Sequence, residues 1–70
     1  MAYDYMTVKV KADNNDVRSQ VTLARMLWLG VPEQSVEIDR KEALQYLEMA
    51  ASRYNDQEAI NLIYQLKINK

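Results

Sequence analysis

DRKEALQYLEMAASRYNDQEAINLIYQLKI, residues 39–68, reads as two helices and the joint between them. Asp39 stands where an N-cap belongs and Glu42 follows three residues later, the reciprocal arrangement of a capping box. Ala43, Leu47, Ala50 and Tyr54 then recur at helical spacing with Leu44 and Ala51 beside them, which predicts one buried stripe over 39–54. Ala50 and Ala51 let a neighbouring helix come close, because no bulk holds the backbones apart. Asn55 is placed to end this helix and cap the next, again with an acid three residues on at Glu58. The helix predicted over 56–68 carries Ala59, Ile60, Leu62, Ile63, Tyr64, Leu66 and Ile68, and Asn61, Gln65 and Lys67 as the polar positions of its body. That is more apolar surface than one neighbour covers.

Toward the amino terminus, the cluster Asp13-Asn14-Asn15-Asp16 offers short side-chain oxygens to the unpaired N–H groups of a helix start. Val17, Val21, Ala24 and Trp28 follow at helical intervals, widened by Leu23 and Leu27, so a helix is predicted over 16–29. It stops at Gly30, the single glycine, and Pro32 cannot continue it. Residues 31–38 read as a loop. Before this unit, Met6, Val8 and Val10 alternate with Thr7, Lys9 and Lys11, a strand period with no partner strand elsewhere. Residues 1–12 are therefore expected to form a short helix or an extended arm.

Composition narrows the class. At 70 residues the chain has room for one domain near the lower limit of what a single hydrophobic core supports. Hydrophobic residues at 49% are too many for disorder, and one Gly with one Pro are too few for a many-stranded fold. Cys and His are both absent, which removes disulfide frameworks, thiol nucleophiles, imidazole chemistry and most metal ligation. No cofactor or metal site is expected. The formal net charge of -1 is the wrong sign for a nucleic-acid or acidic-membrane binder. Met1-Ala2-Tyr3-Asp4-Tyr5 lacks a basic segment followed by an apolar one, so a soluble, cytoplasmic protein is expected.

Sliding the sequence on itself by 39 residues brings Leu62 onto Leu23, Ala51 onto Ala12, Ile60 onto Val21, Leu66 onto Leu27 and Asn55 onto Asp16. A two-helix repeat of that period marks tetratricopeptide-like solenoids. Ser19-Gln20, Leu23-Ala24, Met26-Leu27, Gly30, Val36 with Asp39, Glu42-Ala43, Tyr46 and Ala50-Ala51 together resemble the Sel-one-like repeat family, over residues 12 to about 66. The chain departs from that pattern where Ala24 replaces a Gly, Ser35 replaces the second loop Gly, and Asn15 and Tyr54 stand where a Gly commonly ends a unit. Val31-Pro32-Glu33 also lengthens the loop. The resemblance implies an all-α fold of αα-hairpin repeats, about three helices here. One unit would span 13–54 and half a unit 55–70 of a single domain, 1–70. It also implies a scaffold or adaptor role with no catalytic residues.

The candidate functional residues follow from the apolar helix 56–68. A terminal repeat ordinarily turns polar on its outer side, whereas this helix stays apolar, so something is expected to cover it. Ile63, Tyr64 and Leu66 are the expected centre of a partner-binding face, with Trp28 or the arm residues Tyr3 and Tyr5 at its rim. The partner is expected to be a protein of unspecified identity or a second copy, giving a homodimer. Tyr46 and Tyr54 are read as helix-packing residues, and Met1, Met6, Met26 and Met49 as core filler. The alternative is a small DNA-binding regulator, with Arg53-Tyr54-Asn55-Asp56 as the turn of a helix-turn-helix. Its recognition helix would present Asn61, Gln65 and Lys67 among aliphatics, a weak set for base readout. An enzyme is not expected, because the usual nucleophile-and-base arrangements lack their base.

Overall fold

The computed structural model describes residues 4–68, and within them the chain is all-helical. Four α-helices follow one another: α1 (Tyr5–Asp13), α2 (Val17–Leu29), α3 (Arg40–Tyr54) and α4 (Gln57–Ile68). A single 3₁₀ turn, Pro32–Gln34, lies between α2 and α3. Each α-helix packs on the one before it, and the α2–α3 interface is the most extensive. The described residues share one core, built from Val21, Leu23, Ala24 and Leu27 of α2, Ala43, Tyr46, Leu47 and Ala50 of α3, Val8 and Ala12 of α1, and Ala59 of α4.

Residues 5–13 correct the helix count of about three. The alternation of Met6, Val8 and Val10 is not a strand: Val8 and Ala12, one helical turn apart, face the core, while Met6 and Val10 are exposed. Asp4 fixes the start, its carboxylate accepting from the Thr7 N–H and the Thr7 hydroxyl at 3.0 Å each. Met6 is thus not core filler, whereas Met26 is buried and Met49 is half-buried. Tyr5 packs against the core at the head of α1, and its N–H donates to Gln34 Oε1 at 2.7 Å. That bond ties α1 to the 3₁₀ turn beyond the far end of α2.

The two tight joints use the same pair of devices. Asn15 and Asn55 both take the left-handed conformation, with φ of 69° and 52°. Asparagine tolerates it because its short side chain bonds locally. The residue after each caps the following helix: Asp16 accepts from the N–H groups of Arg18 and Ser19, and Asp56 accepts from that of Ala59 at 2.9 Å. Asn55 therefore ends α3 but does not cap α4. Arg53 Nη1 donates to Asn15 Oδ1 at 2.6 Å, so the two joints are linked to each other.

Three further expectations on α3 and the loop are adjusted. Asp39 caps α3 by accepting from the Glu42 N–H, but its own N–H donates to the Leu27 carbonyl at 2.8 Å, so the capping box is half formed. The Glu42 carboxylate instead lies 3.8 Å from Lys9 Nζ. Tyr54, expected in the buried stripe, is 43% exposed, because the last turn of α3 runs past the core. In the loop, Val31 and Val36 are buried and pair through an antiparallel bridge, which closes the 3₁₀ turn. Gly30 turns the chain into that loop at φ 78° and ψ 153°, and a Cβ there would stand 3.0 Å from Ile38 Cγ1.

Buried polarity is confined to few groups. Gln20 is fully buried, and its Nε2 donates to the Ala12 carbonyl at 3.1 Å, pinning the end of α1 to α2. The close packing of α3 rests on Ala43 and Ala50, both wholly inaccessible. Ala50→Leu is therefore expected to lower stability by about 1–3 kcal/mol through overpacking, seen as an earlier urea midpoint. An unchanged midpoint would contradict the close approach.

Candidate functional site

A largely apolar hollow on the described surface lies where α2 and α4 both rest on α3. Ala24, Arg25, Trp28 and Leu29 line one wall, Leu62 and Leu66 the other, and Leu47 of α3 forms the floor. Both walls follow from helical spacing, since positions one turn apart share a face. Ala24 contributes no bulk, which leaves depth between the walls. The groove has a volume of about 200 Å³. That is below the range of drug-sized and cofactor sites but sufficient for inserted side chains.

Charged groups frame both ends. At one end Arg18 and Arg25 converge on the single carboxylate of Glu58, Arg18 Nη1 donating to Oε1 at 2.7 Å and Arg25 Nη2 to Oε2. At the other, the Arg40 guanidinium lies over the Trp28 ring, 4.9 Å from its centroid, and its Nε donates to the Trp28 carbonyl at 3.4 Å. Such stacking contributes on the order of 0.5–1 kcal/mol at exposed sites, and it fixes one face of the indole. Leu29 stands beside the groove with 73% of its surface exposed.

The expected partner-binding residues are divided by this arrangement. Trp28 and Leu66 come together in the groove. Ile63 is half-buried against the core, and Tyr64, 70% exposed, is not part of the groove lining. Ile63 and Leu66 thus pack partly against the core, while Tyr64 stands largely exposed. Tyr5 belongs to the core beside the 3₁₀ turn, and Tyr3 lies outside the described residues. Arg25, Leu29, Leu47 and Leu62 were missed as groove residues. The signal for them was the matching one-turn spacing of Leu62 with Leu66 and of Arg25 with Leu29.

Two polar sites were weighed against the groove. A hollow of about 570 Å³ between α1 and α2 is lined by Asp4, Thr7, Lys11, Asp16 and Arg18 among others. Its two carboxylates already serve as helix caps, so they are not poised for acid–base work. The second is a cluster joining α1 to α3. The Tyr46 hydroxyl donates to Asp13 Oδ1 at 2.8 Å and accepts from Lys9 Nζ at 3.1 Å. Lys9 lies 3.8 Å from Asp13 as well as from Glu42, and over the Tyr46 ring. Burial raises the Tyr46 hydroxyl above its ordinary 10.0, opposed by the Lys9 hydrogen bond. Lys9 is raised above 10.5, chiefly by the hydrogen bond to Tyr46 and against a smaller opposing effect of burial. A protonated amine and a neutral phenol form a lock, not a nucleophile.

Among the described residues no three His, Cys, Asp or Glu side chains converge as a metal-binding group, and no helix is long and apolar enough to cross a membrane. On α4, Asn61 accepts from Gln57 Nε2 at 3.1 Å and Lys67 faces Glu48 at 4.0 Å. The chain matches no family model, no curated protein and no solved structure.

The lock has a pH signature. Both Tyr46 and Lys9 hold their protons more tightly folded than unfolded, so the stability they contribute is present below pH 10.0 and falls as pH rises through the raised folded values. Tyr46→Phe is expected to cost on the order of 1 kcal/mol at neutral pH and to make the alkaline loss of stability shallower. Urea midpoints measured from pH 7 to 11 check this; parent and variant falling in parallel above pH 10 would contradict it.

Proposed function

We propose that this chain is a non-catalytic protein–protein interaction module, a small adaptor or inhibitor that docks on a protein partner through the groove between α2 and α4. The observation that carries this reading is the meeting of Trp28, Leu62 and Leu66 over Leu47 in one apolar depression, with Leu29 exposed at its edge. Buried aromatic and aliphatic anchors seated in such depressions dominate binding energy at interfaces. The order of the helices, each packed on its predecessor, supports an αα-repeat of the Sel-one-like kind with α2 and α3 as one unit and α4 as the first helix of another. The recurrence of a left-handed Asn followed by a capping Asp at both tight joints supports it further. The absence of cysteine from so small a chain suits a reducing, cytoplasmic setting.

Self-association is the second reading, motivated by Leu29, Tyr64 and Ile68, which stay exposed by 73%, 70% and 61%. Light scattering at micromolar concentration separates the two, a dimer giving twice 8.2 kDa. Leu29→Glu places a charge on an exposed position at the groove's edge and is expected to leave thermal melting unchanged within about 0.5 kcal/mol. It should abolish capture of the partner, and Leu66→Asp should do the same at some cost in stability. Partner capture untouched by both substitutions would place the functional surface elsewhere.

A further inference from the structure

α1 is attached to the rest of the chain differently from the helices that follow it. Val8 and Ala12 are its buried side chains, with Tyr5 half-buried beside them, while Met6 and Val10 of the same helix stay exposed. α3, by contrast, buries Ala43, Tyr46, Leu47 and Ala50, and α4 rests Leu62, Ile63 and Leu66 on the core beside Ala59. Polar ties hold α1 instead. The Tyr5 N–H donates to Gln34 Oε1, the Ala12 carbonyl accepts from Gln20 Nε2, and Lys9 and Asp13 both bond the Tyr46 hydroxyl. Each such bond contributes little net stability, because water takes the partner's place when the groups separate. The Gln20 tie is also incomplete. Gln20 is wholly inaccessible, yet its Oε1 has no hydrogen-bond partner among the described residues. A buried acceptor left unpaired costs free energy that hydration returns. The docked position of α1 therefore carries a penalty that lifting α1 relieves.

From these features we infer that α1 is a strap: it lifts as a unit while α2, α3 and α4 keep their packing, and it uncovers the Gln20 amide and the Tyr46 hydroxyl on the surface it leaves. The remaining helices hold without it. α2 and α3 share the most extensive interface of the chain, and Arg18 and Arg25 join α2 to α4 through Glu58. Neither contact involves α1. Few buried apolar contacts on one element and many on its neighbours is the condition under which that element opens below the free energy of global unfolding. The groove between α2 and α4 takes no lining residue from α1, so the strap governs access to a different face and does not rest on the groove reading.

The test is native-state amide hydrogen exchange on the full chain, read residue by residue as urea is raised below the unfolding transition. After correction for intrinsic rates, the α1 amides from Val8 to Ala12 are expected to exchange about tenfold faster than the slowest amides of α2 and α3. They should share one common opening with little urea dependence, since lifting one helix exposes little surface. Leu62→Ala weakens the seat of α4 and leaves every tie of α1 in place. It should speed the slowest α3 amides severalfold and leave those of α1 unchanged. Because the chain has no cysteine, a single introduced thiol reports the uncovering independently. The thiol of Ala12→Cys is expected to react with a soluble disulfide reagent about tenfold faster than that of Ala43→Cys, although both positions are wholly inaccessible. Exchange of α1 with the rates and urea slope of α2 and α3, or its acceleration by Leu62→Ala to the same degree as α3, would mean that α1 leaves only with the whole fold and overturns the inference. Rates that rise step by step along α1 would mean fraying and overturn it too, as would an Ala12→Cys thiol no more reactive than the Ala43→Cys one.

Discussion

The closeness with which α3 can be approached sets the rest of the molecule. Ala43 and Ala50 present no side chain beyond a methyl group, and both are fully inaccessible, with Ala59 of α4 equally so. These three alanines share the core with Leu23 and Leu47, which are enclosed and each contribute roughly 1.5–3 kcal/mol by burial. For a chain of this size, that is a large share of the net stability to be had. Polar contacts then set register more than they add energy. Arg53 joins the two tight turns, Gln20 holds the end of α1, and the Tyr46 cluster fixes α1 over α3.

The same packing creates the groove. α2 and α4 both rest on α3, and Leu47 is left as a floor between them. Arg18 and Arg25 bind Glu58 and so clamp α2 to α4 beside the groove, which Trp28 and Leu29 line farther along α2. The groove is consequently part of the scaffold and does not depend on a flexible loop. Its shape is held by α-helices whose starts are fixed by Asp16, Asp39 and Asp56. A rigid apolar depression loses little conformational freedom on binding, which favours affinity from a small contact.

Much of this was legible from residues alone. The α2 and α3 boundaries follow from Asp16, Gly30 and Asp39, whose capping and stopping chemistry is local. Ala50 was legible as a buried position of the α3 stripe, whereas Ala51 beside it is only half-buried. For α1 a short helix and an extended arm stayed open, because Met6 and Val10 are apolar but exposed and their alternation masked the single turn from Val8 to Ala12 that faces the core. The cap at α4 was misplaced by one residue because Asn55 and Asp56 both suit an N-cap, and only the backbone distinguishes the left-handed residue from the capping one. Trp28 and Leu66 were singled out and both line the groove, but how Ile63, Tyr64 and Leu66 are exposed depends on how α4 is rotated on α3, which the sequence of α4 alone leaves undetermined. Groove charge was likewise hidden, since Arg40, Arg25 and Glu58 are far apart in the chain.

The central claim is that α4 rests on α3 and leaves an open apolar groove against α2. Solvent paramagnetic relaxation with a soluble nitroxide, read on methyl and indole resonances of the unmodified chain, tests it most directly. The account expects strong broadening of the Leu29 methyls, intermediate broadening of Leu62, Leu66 and the Trp28 indole, and protection of Leu23 and Leu47. Protection of Trp28, Leu62 and Leu66 equal to that of Leu23 would mean that α2 and α4 close on each other, and broadening of Leu47 to the level of Leu29 would mean that α4 is not docked at all.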